Sequence, residues 1–246
     1  MKQTKLIMGM PITIEVIDAH ITKSDINKIF DYFTEVDKRY STYKANSEIS
    51  QINNGLPKKL WSSEVKKVLK LCEQTKNETQ GYFNIHRNGQ IDPSGLVKGW
   101  AINNAANKLI KMGYKNFYID AGGDLQVKGR NTMNKAWTIG IRNPFNREQI
   151  VKTVAIKNKG VATSGTYVRG FHIYNPQKNY KSVNEIASLT VIGPNIYEAD
   201  RFATAAFAMG LNGIEFIESL VGYEAYMIDN KAVATMTSGF ESYVVQ

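Results

Sequence analysis

Two residues one helical turn apart, Asp200 and Thr204, carry oxygen atoms on a helix face that is otherwise built of alanines. Positions i and i+4 of a helix are neighbours, so this carboxylate and this hydroxyl can reach one ion. Such oxygen ligands suit Mg²⁺, which keeps few protein ligands and takes the rest from water and substrate phosphates. Taken alone, the pair is explained better as an ordinary helix face, with Asp200 near the positive end of the helix dipole.

A carboxylate, two glycines and a lysine open another predicted helix, in the segment DPSGLVKG (residues 92–99). Backbone amides at a helix start favour anions, glycine lets a ligand approach the backbone, and Lys98 adds a positive charge. The segment lacks the spacing of a P-loop. By itself it is better explained by Asp92 as a helix N-cap with Pro93 in the first helical position.

Two further segments are ambiguous when they are considered singly. The loop IDAGGD (residues 119–124) is either a plain hairpin turn or a ligand loop. His172 lies in the segment TSGTYVRGFHIYNP (residues 163–176) after a glycine-rich turn, and a structural role is the default for a lone histidine. The other two histidines, His20 and His86, give no spacing for a zinc site.

Composition narrows the class of protein. The chain has 246 residues, 43% hydrophobic, and a formal charge of +9 that suits an anionic ligand. Lys and Arg form no dense basic block, which argues against nucleic acid. No apolar stretch approaches the roughly 20 residues of a membrane span, and the first residues have a strand pattern in place of a signal peptide. The single cysteine, Cys72, falls on an apolar helix face and is expected to be buried and inert.

The pattern of apolar residues predicts helices and short strands without a regular βαβ alternation, which indicates an α+β fold of one two-lobed domain or two small domains. An opening strand is predicted over Leu6–Ile17, and a helix follows with one apolar stripe ending at Tyr40. Further helices are predicted at about Ser63–Asn77, Leu96–Met112, Tyr197–Met209 and Gly213–Leu220. Strands are predicted in NFYID, DLQVKG, AWTIGI, VKTVAI, ASLTVIG and, last, YEAYMI.

Seven segments in one order resemble the motifs of the ApbE family, the flavin transferases. Residues 8–11 (MGMP) resemble the opening MGTP, residues 41–53 resemble STYxxxSEISxxN, and residues 92–101 resemble DxGGxAKGYA. Residues 120–124 resemble NxGGD, residues 137–144 resemble WxVGIRDP, residues 163–167 resemble TSGxY, and residues 199–204 resemble ADxxxT. The resemblance covers nearly the whole chain and implies a single, T-fold-like, two-lobed domain over residues 1–246 with antiparallel-rich sheets.

The resemblance also implies a set of site residues. It places Tyr43 against the flavin of FAD and His172 at the reacting centre as the candidate general base. Further contacts to FAD are expected from Met8, Tyr82, Phe83, Asn84, Asp92, Lys98 and Ile173. Mg²⁺ is expected on Asp200, Thr204 and the backbone carbonyl of Gly95. The sequence departs from the pattern at Asn175, where aspartate is usual, and in a shortened stretch after Phe83.

The activity that the resemblance implies is Mg²⁺-dependent transfer of FMN from FAD to a Ser or Thr hydroxyl of an acceptor protein, with release of AMP. Two rivals remain open: an FAD pyrophosphatase, in which water replaces the acceptor, and a flavin-binding or delivery protein without turnover. Neither a nucleic-acid partner nor a membrane span is expected. The chain as given is expected in the cytoplasm, with an exported form that has lost its signal as the alternative.

Overall fold

A computed structural model describes residues 1–165, 173–178 and 180–245 of the chain. The helices are α1 (Lys23–Tyr40), α2 (Glu48–Asn53), α3 (Ser63–Glu78), α4 (Ser94–Lys111), α5 (Ile196–Ala208) and α6 (Gly213–Glu218). The first seven strands are β1 (Lys2–Ile7), β2 (Met10–Val16), β3 (His86–Arg87), β4 (Gln90–Ile91), β5 (Phe117–Ala121), β6 (Asp124–Lys128) and β7 (Trp137–Arg142). The others are β8 (Ile150–Ile156), β9 (Gly160–Gly165), β10 (Tyr174–Asn175), β11 (Lys181–Ser182), β12 (Ile186–Gly193), β13 (Glu224–Asp229) and β14 (Ala234–Met236).

An eight-stranded sheet organises the described residues, in the strand order β1-β2-β5-β6-β9-β12-β13-β14. Every neighbouring pair in it is antiparallel. Strands β7 and β8 form a separate antiparallel pair. The mixture of helices and antiparallel strands confirms the predicted α+β class.

The sheet carries a hydrophobic core on each face. Along β13, alternate residues fall into different clusters: Ala225 and Met227 join the core that also holds α1, α4 and α5, whereas Tyr226 and Ile228 join the core beneath β7 and β8. Successive side chains of a strand point to opposite faces, so the two clusters lie on opposite sides of the sheet. We call them the helical core and the hairpin core.

Capping residues mark the ends of the helices. At the start of α1 the Thr22 hydroxyl accepts the Asp25 N–H at 3.1 Å, and the stripe that was predicted from Ile26 to Tyr40 is buried. Gly113 follows α4 with φ +94°, the left-handed conformation that glycine adopts readily after a helix. No helix in the described ranges is both long and apolar enough to cross a membrane.

Two predictions about strands were wrong, and one interior strand of the sheet was not predicted. The opening strand is two strands, because Met8 (φ 56°) and Gly9 (φ 71°) turn the chain between β1 and β2. Strand β9, which the sequence did not predict, lies inside the sheet between β6 and β12, and the residues between it and Ile173 lie outside the described ranges. Strand β13 is not the last, since β14 pairs with it.

Candidate active site

A cavity of about 690 Å³ opens beside the start of α4, the turn between β5 and β6, and α5. Nine of the predicted site residues line it: Tyr82, Phe83, Asn84, Asp92, Gly95, Lys98, Ile173, Asp200 and Thr204. They come from positions as far apart as 82 and 204, and the packing of α4 against α5 brings Gly95 and Lys98 to Asp200 and Thr204.

Gly99 allows α4 and α5 to approach closely enough to join the two motifs. Its backbone N–H donates a hydrogen bond to Asp200 Oδ2 at 2.7 Å. A Cβ atom at this position would lie 2.5 Å from the Cβ of Asp200 and 2.7 Å from the carbonyl oxygen of Ile196, both closer than real contacts. The second glycine of the segment at residues 92–99 therefore serves helix packing as well as the site.

Lys98 lies between two buried carboxylates. Its ammonium nitrogen pairs with Asp124 Oδ2 and stands 3.5 Å from Asp200 Oδ1. The carboxylate side chains are 2% and 4% exposed, so water solvates neither of them well. One lysine faces two acids, which leaves one negative charge uncompensated when both are ionised.

The electrostatics of Asp200 reflect this imbalance. Burial raises the pKa of its carboxyl well above the ordinary value, and Asp124 raises it further, while Lys98 opposes the shift. A second positive charge at this point would stabilise the ionised form. Since Asp200 is held by one backbone N–H, its other oxygen is directed to Lys98 and the cavity.

The three predicted metal ligands lie within one turn of each other along the contact between α4 and α5. Thr204 Oγ1 donates to the carbonyl oxygen of Gly95 at 3.4 Å, one turn of α5 after Asp200. These oxygens are a hydroxyl, a carbonyl and a carboxylate, the ligand types that Mg²⁺ accepts. No group of three or more His, Cys, Asp or Glu side chains able to hold a metal occurs in the described part of the chain. The candidate site thus depends on backbone and hydroxyl oxygens beside a carboxylate.

Asp124 is a site residue that sequence reasoning missed. Its Oδ1 accepts the Thr163 N–H at 3.0 Å across the sheet, and its Oδ2 faces Lys98. The turn before it uses positive φ at Gly122 and Gly123, and Asp120 Oδ1 closes this turn by accepting the Gly123 N–H at 2.8 Å. The sequence analysis singled out the loop that ends in Asp124, but only the structure shows that this carboxylate pairs with Lys98.

Two predicted FAD contacts do not line this cavity. Tyr43 is 98% exposed and borders a neighbouring depression of about 650 Å³, which shares Asp92 and Tyr174 with the main cavity. Met8 sits in the β1–β2 turn and packs on the helical core. The predicted base, His172, lies outside the described residues.

Asn175 has a local structural role. It is buried, its Oδ1 accepts the Gln177 N–H at 2.8 Å, and its backbone carbonyl accepts the Tyr180 N–H at 3.0 Å. A carboxylate oxygen could accept the first of these bonds equally well. The amide found here is therefore compatible with the turn that follows the predicted reacting centre.

Comparison with known families decides the assignment. A model of the ApbE family matches residues 8–89 and 85–227. The chain belongs to the ApbE family.

The relatives of this ApbE chain are named for one reaction. It is 30% identical over 164 residues to the FAD:protein FMN transferase of Haemophilus influenzae, which covers 61% of the chain and 47% of that protein. The Escherichia coli K12 protein of the same name is 26% identical over 167 residues, or 63% and 48% of the two chains. The chain spans about half the length of these curated relatives.

Solved structures confirm the fold. The ApbE protein of Thermotoga maritima superposes with a TM-score of 0.88 at 19% identity, over 100% of this chain and 99% of that one. The flavin transferase ApbE of Vibrio cholerae gives 0.86 at 21% identity, over 99% and 98%. The predicted ApbE-like architecture is correct.

Proposed function

We propose that the protein transfers FMN from FAD to a hydroxyl group of an acceptor protein and releases AMP. The observation that carries this proposal is that six of the seven family motifs contribute lining residues to one cavity of an ApbE chain. Relatives with the name FAD:protein FMN transferase support it. FAD is the substrate, and a Ser or Thr side chain of the acceptor is the nucleophile.

The reaction is an in-line displacement at phosphorus. The acceptor oxygen forms a bond to the phosphorus on the FMN side while the bond from this phosphorus to the bridging oxygen breaks, and AMP leaves with that oxygen. The hydroxyl proton passes to a base. His172 is proposed for this role because an imidazole titrates near neutral pH. The products are a phosphodiester-linked FMN on the acceptor, and AMP.

The chain's own residues supply binding and charge. Lys98 and the backbone amides at the start of α4 are suited to the diphosphate, because both offer N–H donors to phosphate oxygens. Phe83 and Tyr82 offer aromatic surface beside them. We expect the flavin to extend towards Tyr43 through the neighbouring depression, which joins the cavity at Asp92 and Tyr174.

Mg²⁺ fits the charge of the site. Asp124 and Asp200 together exceed the single charge of Lys98, and burial raises the pKa of Asp200, so a cation there would relieve an unfavourable arrangement. Asp200, Thr204 and the Gly95 carbonyl would hold the ion. When bound, Mg²⁺ neutralises phosphate charge during displacement.

The test uses the purified protein with FAD, MgCl₂ and a bacterial extract as the source of acceptors. We expect a flavin-fluorescent band on a denaturing gel and AMP in equal amount. The matched control is Asp200→Asn, which should give neither product. Free FMN without a labelled band would identify the protein as an FAD pyrophosphatase, and FAD binding without AMP would identify it as a flavin-binding protein.

A further inference from the structure

One end of the cavity is formed by the edge of strand β7. All six residues of this strand line the cavity, although the side chains of Trp137, Ile139 and Ile141 are buried in the hairpin core. A strand that turned a face to the cavity would contribute every second residue. Six in succession mean that the backbone edge itself borders the space, and β8 contributes no lining residue.

This edge has no strand beside it in the described part of the chain. Strand β7 pairs with β8 alone, from Trp137 opposite Ile156 to Arg142 opposite Ile150. The backbone N–H and C=O groups on its other side face the cavity. Such an edge is a template for another extended segment, because each added residue pair satisfies these groups.

The strand runs towards the charged centre. At its first residue, the Trp137 indole donates to the Lys128 carbonyl at 3.0 Å and packs edge-on against Tyr118, at a ring distance of 5.1 Å. At its last residue, the charge of Arg142 acts on Asp120 and opposes the rise that burial causes in the pKa of that carboxyl. Because Asp120 and Asp124 flank the same turn, the Arg142 end is the one nearer Lys98 and Asp200.

We propose that the acceptor protein docks by adding an extended segment to the free edge of β7, with its reactive hydroxyl at the Arg142 end. This inference rests on the proposed function. Six residues of strand span about 20 Å, so the segment recognised is about six residues long. Arg142 and Arg147 line this end beside Asp120, and Lys98 pairs with Asp124 and Asp200 further along the cavity. An acidic residue of the segment would therefore pair with Arg142.

The experiment needs the acceptor segment itself. The fluorescent band from the extract is digested, the flavin-bearing peptide is sequenced, and the unmodified peptide is synthesised as the probe. Its kcat and KM for FMN transfer are then measured with wild type, Arg142→Glu and Arg130→Glu. Arg130 is an exposed arginine outside the cavity lining and provides the matched change of charge.

We expect Arg142→Glu to raise the peptide KM by about tenfold, because an attraction becomes a repulsion at the docking edge. The Kd for FAD should stay within about twofold of wild type, and Arg130→Glu should behave as wild type. A second series uses peptides that are N-methylated at one backbone nitrogen each. Loss of transfer should alternate along the peptide, since only every second residue of a strand bonds to a given edge.

Each of the following results would overturn the inference. An unchanged peptide KM in Arg142→Glu removes the proposed recognition, and uniform tolerance of N-methylation removes strand addition. A weaker FAD affinity at an unchanged peptide KM means that the AMP half of FAD occupies this end instead. If wild type labels no protein in the extract, the proposed function fails and the docking site fails with it. Labelling by wild type together with an unchanged peptide KM in Arg142→Glu contradicts the docking site alone.

Discussion

Asp200 carries the only formal charge among the three candidate metal ligands, and Thr204 contributes a neutral oxygen that water can replace. We expect Asp200→Asn to abolish AMP release at any Mg²⁺ concentration tested, and Thr204→Ala only to raise the Mg²⁺ concentration needed, by about tenfold. The measurement is AMP release against Mg²⁺ for the three proteins. Wild-type metal dependence in Asp200→Asn would return the pair to an ordinary helix face.

Tyr43 allows a binding role to be separated from a structural one. Its side chain is 98% exposed, so Tyr43→Ala should change the free energy of unfolding by less than about 0.5 kcal/mol. Loss of a stacking ring should weaken FAD binding by about tenfold, since stacking on a base contributes about 1–3 kcal/mol. Flavin fluorescence titration gives the Kd, and Tyr43→Phe, which keeps the ring, should bind as wild type. Equal affinity of the alanine variant would remove Tyr43 from the site.

The reactivity of the Cys72 thiol tests whether this side chain is buried. Burial raises the pKa of its thiol to about 12, from an ordinary value of 9.0. Because the folded pKa is the higher one, the contribution of the neutral thiol to stability is complete below pH 9 and is lost as pH rises towards 12. At pH 8 iodoacetamide should label the native chain far more slowly than the chain in guanidinium. As the chain has one cysteine, labelling by mass has a single source.

At the scale of elements, the contact between α4 and α5 depends on Gly99. An added methyl group would meet Asp200 and the Ile196 carbonyl within 2.7 Å, so Gly99→Ala should lower the free energy of unfolding by about 1–3 kcal/mol and reduce activity strongly. The control is Gly95→Ala in the same helix, where the nearest atom would be Thr204 Cγ2 at 3.2 Å. Urea unfolding ranks the two, and an equal or milder effect at Gly99 would contradict the account.

The sequence was sufficient to predict elements whose signal is local. Helix α1 was visible because its apolar residues recur with helical period, and α4 because Gly113 ends it. Strand β9 (GVATSG) was missed, since its small residues carry no alternating pattern. The structure explains their size: a Cβ atom on Gly160 would lie 2.1 Å from the backbone nitrogen of Ile196, so β9 lies directly under the start of α5.

The candidate site also contains residues that the sequence indicates and residues that only the fold brings together. Asp92, Lys98, Asp200 and Thr204 could be predicted because each belongs to a motif of known order. The role of Asp124 could not be predicted, because its partners Thr163 and Lys98 are distant in sequence and only the sheet order brings them together. Nor could the sequence reveal that Tyr43 borders a depression of its own.

At the scale of the whole molecule, the sheet separates two tasks. The helical core holds α4 and α5 and therefore Lys98 and Asp200, whereas the hairpin core supports β7 and its cavity-facing edge. In the proposed reaction, FAD and the acceptor segment would thus be held from different sides of one cavity. The positive charge of +9 would favour the approach of anionic partners to either side.

Residues near the end of the chain pack in the hairpin core, and a substitution of Phe240 tests how much they stabilise it. This ring is fully buried against Tyr226, and nearby the Val245 N–H donates to the Thr153 carbonyl of β8 at 2.8 Å. Phe240→Ala leaves a cavity beneath β7 and β8, so it should lower the free energy of unfolding by about 3–5 kcal/mol. Phe145→Ala, at a ring that is 56% exposed, should change it by less than about 0.5 kcal/mol.

Hydrogen exchange should show that Phe240→Ala loses protection first in β7 and β8, while α4 and α5 keep theirs, because the lost contacts lie on the hairpin side of the sheet. Uniform loss over both cores would mean that the two faces unfold as one unit.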